Sequence, residues 1–94
     1  MLYLGIDQHA KQLTINLRNE AGDVIVKRQV STEWKRVRQF FASVRRRARG
    51  RGFMAIVEIC GFNQWLLEML KEYGCTETVV IQQDKMNNKN SERT

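Results

Sequence analysis

The sequence has no proline, a single histidine, two cysteines and no apolar run approaching a membrane span, which takes roughly 18 residues. The lack of proline excludes proline-rich linkers and docking segments. Cys60 and Cys75 fit neither a metal-ligand spacing nor a Cys-x-x-Cys motif, so zinc-knuckle and dithiol redox chemistry are set aside. In a reducing compartment such thiols behave as small apolar side chains. No segment repeats, and the amino terminus lacks the basic start, apolar middle and small-residue cleavage site of a signal peptide. The expectation is a cytoplasmic protein without membrane contact. One further lack is local: from Trp34 to Arg51 there is no acidic residue.

That acid-free stretch holds Lys35, Arg36, Arg38, Arg45, Arg46, Arg47, Arg49 and Arg51. These eight basic residues exceed the formal net charge of +6, and the remainder of the chain nets −2. A dense basic cluster on a near-neutral remainder points to a polyanion, with nucleic acid first. The 94 residues suffice for one domain with a modest core, and an apolar fraction of 43% is that of a globular chain.

The chain is organised around Leu2-Tyr3-Leu4-Gly5-Ile6-Asp7, an apolar run that ends in a carboxylate. Such a run predicts a strand, Leu2 to Ile6, buried on both faces within a mostly parallel sheet. Asp7 to Gln12 is too short for a crossover and reads as a hairpin turn. Leu13, Ile15 and Leu17 alternate with polar residues, the period of a half-buried second strand. After a turn at 19–23, Val24 to Val30 forms a third strand. Ser31 or Thr32 is expected to cap a helix with Glu33 in its first turn. Its apolar face would be Trp34, Val37, Phe40, Phe41, Val44 and Ala48, packed in the core, and Gly50 and Gly52 would end it.

Phe53 to Val57 is a fourth strand; coming after a helix, it should run parallel to the first. Asn63 would cap a second helix with Trp65, Leu66, Leu67, Met69, Leu70 and Tyr73 as its apolar positions, ended by Gly74. Thr78 to Ile81 makes a short fifth strand, and Gln82 onward reads as a polar loop or tail. The division is therefore a domain over 1–83 and a tail over 84–94. The order βββαβαβ implies an α/β fold: a mixed five-stranded sheet with helices packed on it, of ribonuclease H-like topology, with strand four beside strand one.

In that arrangement Asp7 and Glu58 project from neighbouring strand ends, where ligands of open α/β sheets bind. Two carboxylates side by side repel unless a cation lies between them. Mg²⁺ is commonly held by one or two carboxylates with waters and phosphate oxygens. Paired ions of this kind activate water in phosphodiester cleavage. Asp7 and Glu58 are thus the candidate metal ligands, with Mg²⁺ or Mn²⁺ as the ion. His9 is a neighbour that either joins them or belongs to a solvated turn, and Asp84 lies past the fifth strand.

Gly5-Ile6-Asp7 with His9 and Lys11, then Val57-Glu58-Ile59-Cys60-Gly61-Phe62 before Trp65-Leu66, resembles the amino-terminal domain of a DEDD (RuvC-like) transposase of bacterial insertion sequences in the 110 and 1111 group. The likeness runs from Met1 to about Lys85. It implies a ribonuclease H-like fold, Mg²⁺, and DNA cutting or strand transfer in DNA transposition, with Asp7 and Glu58 as the first two members of an acidic tetrad. Ser91-Glu92-Arg93 resembles a drifted copy of the motif carrying the third member, which sets Glu92 beside Asp7 and Glu58 as a catalytic candidate. The chain stops before the fourth. Longer relatives add a helical region, a carboxy-terminal domain with a nucleophilic serine, and an element-encoded guide RNA. The expectation is a truncated transposase domain, weak or inactive as a catalyst on its own. Missing helices would leave part of the sheet or core uncovered and favour a homodimer.

Lys35, Arg38, Arg45, Arg46, Arg47, Arg49 and Arg51 are the candidate nucleic-acid contacts. One alternative is a non-catalytic nucleic-acid-binding module on the same fold. The other is a different enzyme of this superfold, such as a Holliday-junction resolvase. An actin-like ATPase also opens with Gly-Ile-Asp, but Gln8-His9-Ala10-Lys11 supplies no phosphate hairpin.

Overall fold

The computed structural model describes residues 1–82. Asp84, Glu92 and the tail read over 84–94 lie outside the described residues. Seven elements follow in the order β1 (Leu2–Gln8), β2 (Gln12–Arg18), β3 (Val24–Ser31), α1 (Trp34–Ala48), β4 (Phe53–Ile59), α2 (Gln64–Glu72) and β5 (Cys75–Gln82). The strands form one mixed sheet in the order β3-β2-β1-β4-β5. The β1–β2 and β2–β3 pairs are antiparallel, whereas β4 is parallel to both β1 and β5. The described residues thus form a small α/β domain of five strands and two helices.

Register fixes which side chains share a face. Leu4 lies between Leu17 and Ala55, Ile6 between Ile15 and Val57, and all six are buried. Val37, Phe40, Phe41 and Val44 of α1 and Leu66, Met69 and Leu70 of α2 close over this face in one core cluster. The opposite face carries Tyr3, Ile56, Val79 and Ile81, each at least 40% exposed. The double-sided burial expected of β1 and β4 is therefore corrected to burial on one side. Their apolar runs reflect strand-forming residues on both faces, but both helices pack on the same one.

The strands are longer than the apolar runs suggest. β1 continues through Asp7 to Gln8, and β4 through Glu58 to Ile59, so the first turn shrinks to 9–11. Pairing with the full length of β4 also recruits Cys75–Glu77 and Gln82 into β5. That strand has eight residues rather than the four expected. Ladder hydrogen bonds need no apolar side chain, so strand ends outrun their hydrophobic signal.

The helix starts differ from expectation as well. Glu33, not Ser31 or Thr32, occupies the cap position of α1, and it makes no side-chain cap. The Glu33 amide donates to Ser31 Oγ (3.1 Å), while Thr32 Oγ1 donates to the Ala10 carbonyl (3.5 Å). Asn63 does stand at the cap of α2, but its Nδ2 donates to the Gly61 carbonyl (2.9 Å) rather than its oxygen accepting from the helix. Trp34, expected in the core, is 55% exposed. It is the first residue of α1 and overhangs the strand ends instead of covering the sheet.

At the other end of α1, Arg49 takes the left-handed conformation (φ 54°, ψ 42°) ahead of Gly50. Gly52 is required twice over. Its φ is +78°, and a Cβ there would come within 2.5 Å of Thr76 Cγ2. Any other residue would have to displace the Thr76 side chain where the chain enters the sheet. Both cysteines are free and half-buried.

Candidate functional site

Asp7 and Glu58 are Cα partners in the parallel β1–β4 ladder. Neighbouring strands lie about 4.8 Å apart, and partners in register project to the same face. The two carboxylates therefore stand side by side at the carboxyl ends of the central strands, on the face that neither α1 nor α2 covers. Thr14 flanks Asp7 across β2, and Ile81 flanks Glu58 across β5. His9, the first residue of the exposed turn, has its Nε2 3.4 Å from Asp7 Oδ2. The contact is more than a third exposed on both sides, so its own contribution to stability is small. A donor at Nε2 would orient the Asp7 carboxylate there.

Gln8 was not singled out in the sequence, yet it fixes this end of the sheet. It occupies the core-facing position after Leu4 and Ile6 and is 4% exposed. Its Nε2 donates to the Phe62 carbonyl (3.0 Å), and its Oε1 accepts from the Cys60 amide (3.1 Å). The Cys60 thiol donates to the Gln8 backbone carbonyl (3.2 Å). The loop after Glu58 is thereby pinned to β1. The available signal was parity: a polar residue at an alternation position reserved for the core.

The seven candidate nucleic-acid contacts divide into three groups. Arg38 is tied within the fold, where it donates to Glu72 (2.9 Å) and to the Tyr73 hydroxyl (3.0 Å) and lies 5.0 Å from the centre of the Trp34 ring. The hydrogen bond to Glu72, then that to Tyr73, raises its pKa above the ordinary arginine value. Lys35 sits in the first turn of α1, at the carboxylate end. Arg45, Arg46, Arg47, Arg49 and Arg51 gather at the other end, where Arg47, Arg49 and Arg51 line a crevice with Met1 and Leu2 at the start of β1. Arg45 lies over the Tyr73 ring at 4.8 Å. Since α1 spans 15 residues, these arginines are roughly 20 Å from Asp7 and Glu58 along the helix. The fold brings the carboxylates together and separates them from the arginine cluster.

A cleft of about 500 Å³ opens at the carboxylate end, lined by Gln8, His9, Trp34, Cys60, Phe62 and Trp65 among others. It runs between the first turns of the two helices, beside the strand ends.

Among the described residues, no three or more His, Cys, Asp or Glu side chains gather at one point. Two hard carboxylates in register nevertheless suit Mg²⁺ or Mn²⁺, which accepts such a pair and completes its shell with water and phosphate oxygens. No helix among the described residues is long and apolar enough to cross a membrane. In comparisons with known proteins, no family model matches the chain, and no curated protein matches it significantly.

Proposed function

We propose that this chain is a nucleic-acid-processing domain of the ribonuclease H-like class, the amino-terminal domain of a DEDD transposase acting on DNA phosphodiesters. The observation that carries this reading is the register of Asp7 with Glu58 on adjacent parallel strands at the centre of the sheet. The strand order β3-β2-β1-β4-β5, with three antiparallel strands followed by two helical crossovers, is in keeping with that class. The reading carries with it DNA as partner, a cytoplasmic location, and guide RNA for longer relatives.

Asp7 and Glu58 would hold Mg²⁺ or Mn²⁺. Once bound, the ion supplies an activated water and neutralises charge on the leaving oxygen. His9 orients Asp7, and Gln8 holds the loop behind Glu58, so both carboxylates are set before substrate arrives. Arg45, Arg46, Arg47, Arg49 and Arg51 hold backbone phosphate at the far end of α1, so a bound duplex would extend past the carboxylates rather than end there. Lys35 is the basic residue nearest the site on α1. Glu92 is the third acidic candidate.

Calorimetric titration of Mn²⁺ into the wild-type chain and into Asp7→Asn tests the reading. Sub-millimolar binding that disappears in Asp7→Asn and in Glu58→Gln is expected. An absence of binding in the wild type would overturn the metal-dependent reading.

A second reading, a binding module without catalysis, is favoured by the distance between the arginine cluster and the carboxylates. Nucleic acid held at Arg45–Arg51 needs neither Asp7 nor Glu58. On that reading, neutralising Arg45, Arg46 and Arg47 abolishes binding while Asp7→Asn leaves it intact and Mn²⁺ does not bind.

A further inference from the structure

The cleft beside the carboxylates is built unlike the core. Both tryptophans of the chain line it, together with Phe62. They come from three separate segments: Trp34 from the first turn of α1, Trp65 from the start of α2, and Phe62 from the loop between β4 and α2. Trp34 is 55% and Phe62 75% exposed. Core packing does not explain rings that keep so much of their surface in water, and grouped exposed aromatics mark a binding surface.

The two tryptophan rings are held in advance. Trp34 has the Arg38 guanidinium at 5.0 Å and Trp65 tilted against it at 6.5 Å, and Arg38 is itself fixed by Glu72 and Tyr73. The Phe62 backbone is tied to Gln8, and the Thr32 amide, at the opposite wall, donates to the Lys11 carbonyl (3.0 Å). A preorganised platform loses little freedom when it binds. In the chain Lys11 and Lys35 follow the lining residues Ala10 and Trp34, and Glu33 lines a different crevice, with Arg28 and Arg36. His9 belongs to both places, lining the cleft and lying 3.4 Å from Asp7.

An occupant that suits these features is planar and stacks on aromatic rings. We infer that the cleft holds an unpaired nucleobase, which stacks on Trp34 and Phe62. This deepens the nucleic-acid reading, and rests on it, by naming the substrate class as single-stranded or locally opened nucleic acid. A base inside a duplex must leave its stack to enter such a cleft. Stacking of this kind is sequence-tolerant.

Because both tryptophans line the cleft, intrinsic fluorescence reads its occupancy directly. The test compares a labelled short oligothymidylate with a blunt duplex of equal length, following label anisotropy for all binding and tryptophan emission for the cleft. The expected result is quenching by the single strand and not by the duplex. Phe62→Ala keeps both fluorophores and, being exposed, should keep the wild-type urea midpoint. It should weaken single-strand affinity about tenfold and leave duplex affinity unchanged. Trp34→Ala should do the same by anisotropy. Single-strand binding without quenching, or wild-type affinity in both variants, would overturn the cleft as a base site while the wider reading stood. Failure of both nucleic acids to bind at low salt would overturn the wider reading, and the cleft proposal with it.

Discussion

Gln8 shows how much a single buried amide can organise. Its two side-chain hydrogen bonds tie the loop after Glu58 to the strand that carries Asp7. Replacement by leucine keeps the volume, but the Cys60 amide and Phe62 carbonyl lose their partners in a part-buried site. We expect Gln8→Leu to cost about 1–3 kcal/mol, read as a lower urea midpoint at unchanged slope. A wild-type midpoint would mean that water replaces the side chain and that the loop is not anchored there. Gln8 was hard to see in the sequence because it follows Asp7 and precedes His9, in a polar run that reads as a turn. Arg49 is the converse case, a residue against the local backbone. A left-handed φ of 54° disfavours any side chain with a Cβ. Arg49→Gly should stabilise by about 1 kcal/mol, raising Tm by roughly 4–8 °C in a domain of this size. An unchanged or lower Tm would show that the arginine makes a compensating contact.

At the level of elements, periodicity was legible and placement was not. The spacing of Val37, Phe40, Phe41 and Val44 identified the buried stripe of α1, and the alternation of Leu13, Ile15 and Leu17 that of β2. Trp34 fitted the same helical stripe yet lies outside the core, because a period says which side a residue faces and not whether the sheet extends beneath it. Asp7 and Glu58 were recognisable as a pair since both end apolar runs and the parallel crossover brings those runs together. Their separation from the arginines follows from the direction of α1, which carries the cluster away from the strand ends. That geometry makes the two functions separable by mutation. Neutralising Arg45, Arg46 and Arg47 to glutamine should lower duplex affinity and flatten its dependence on salt. The loss is about 0.9 in log–log slope for each phosphate contact removed. Asp7→Asn should leave the slope as it is. Anisotropy titrations across a range of salt concentrations measure both, and an unchanged slope in the triple variant would remove the cluster from the interface.

For the whole molecule, the feature to be explained is the sheet face that neither helix covers. β1 and β4 have the near-continuous apolar runs typical of strands covered on both sides. Among the described residues, however, Tyr3, Ile56, Val79 and Ile81 remain exposed on that face. The Asn16 side-chain oxygen, whose register puts it on the same face, is buried without a hydrogen-bond partner. Apolar side chains from three strands form a patch of the kind that drives association, and a flat, two-fold-related copy is the simplest partner for it. We therefore propose a homodimer formed through the part of this face around Tyr3, Ile56 and Val79. Light scattering at micromolar concentration should give twice the chain mass. Ile56→Lys combined with Val79→Lys should give the single-chain mass with its circular dichroism retained, since both positions face solvent within one chain. A monomeric wild type would end the proposal. A lysine variant that stayed dimeric would move the interface elsewhere, most simply to the outer edge of β3 or β5, which pairs with no further strand among the described residues.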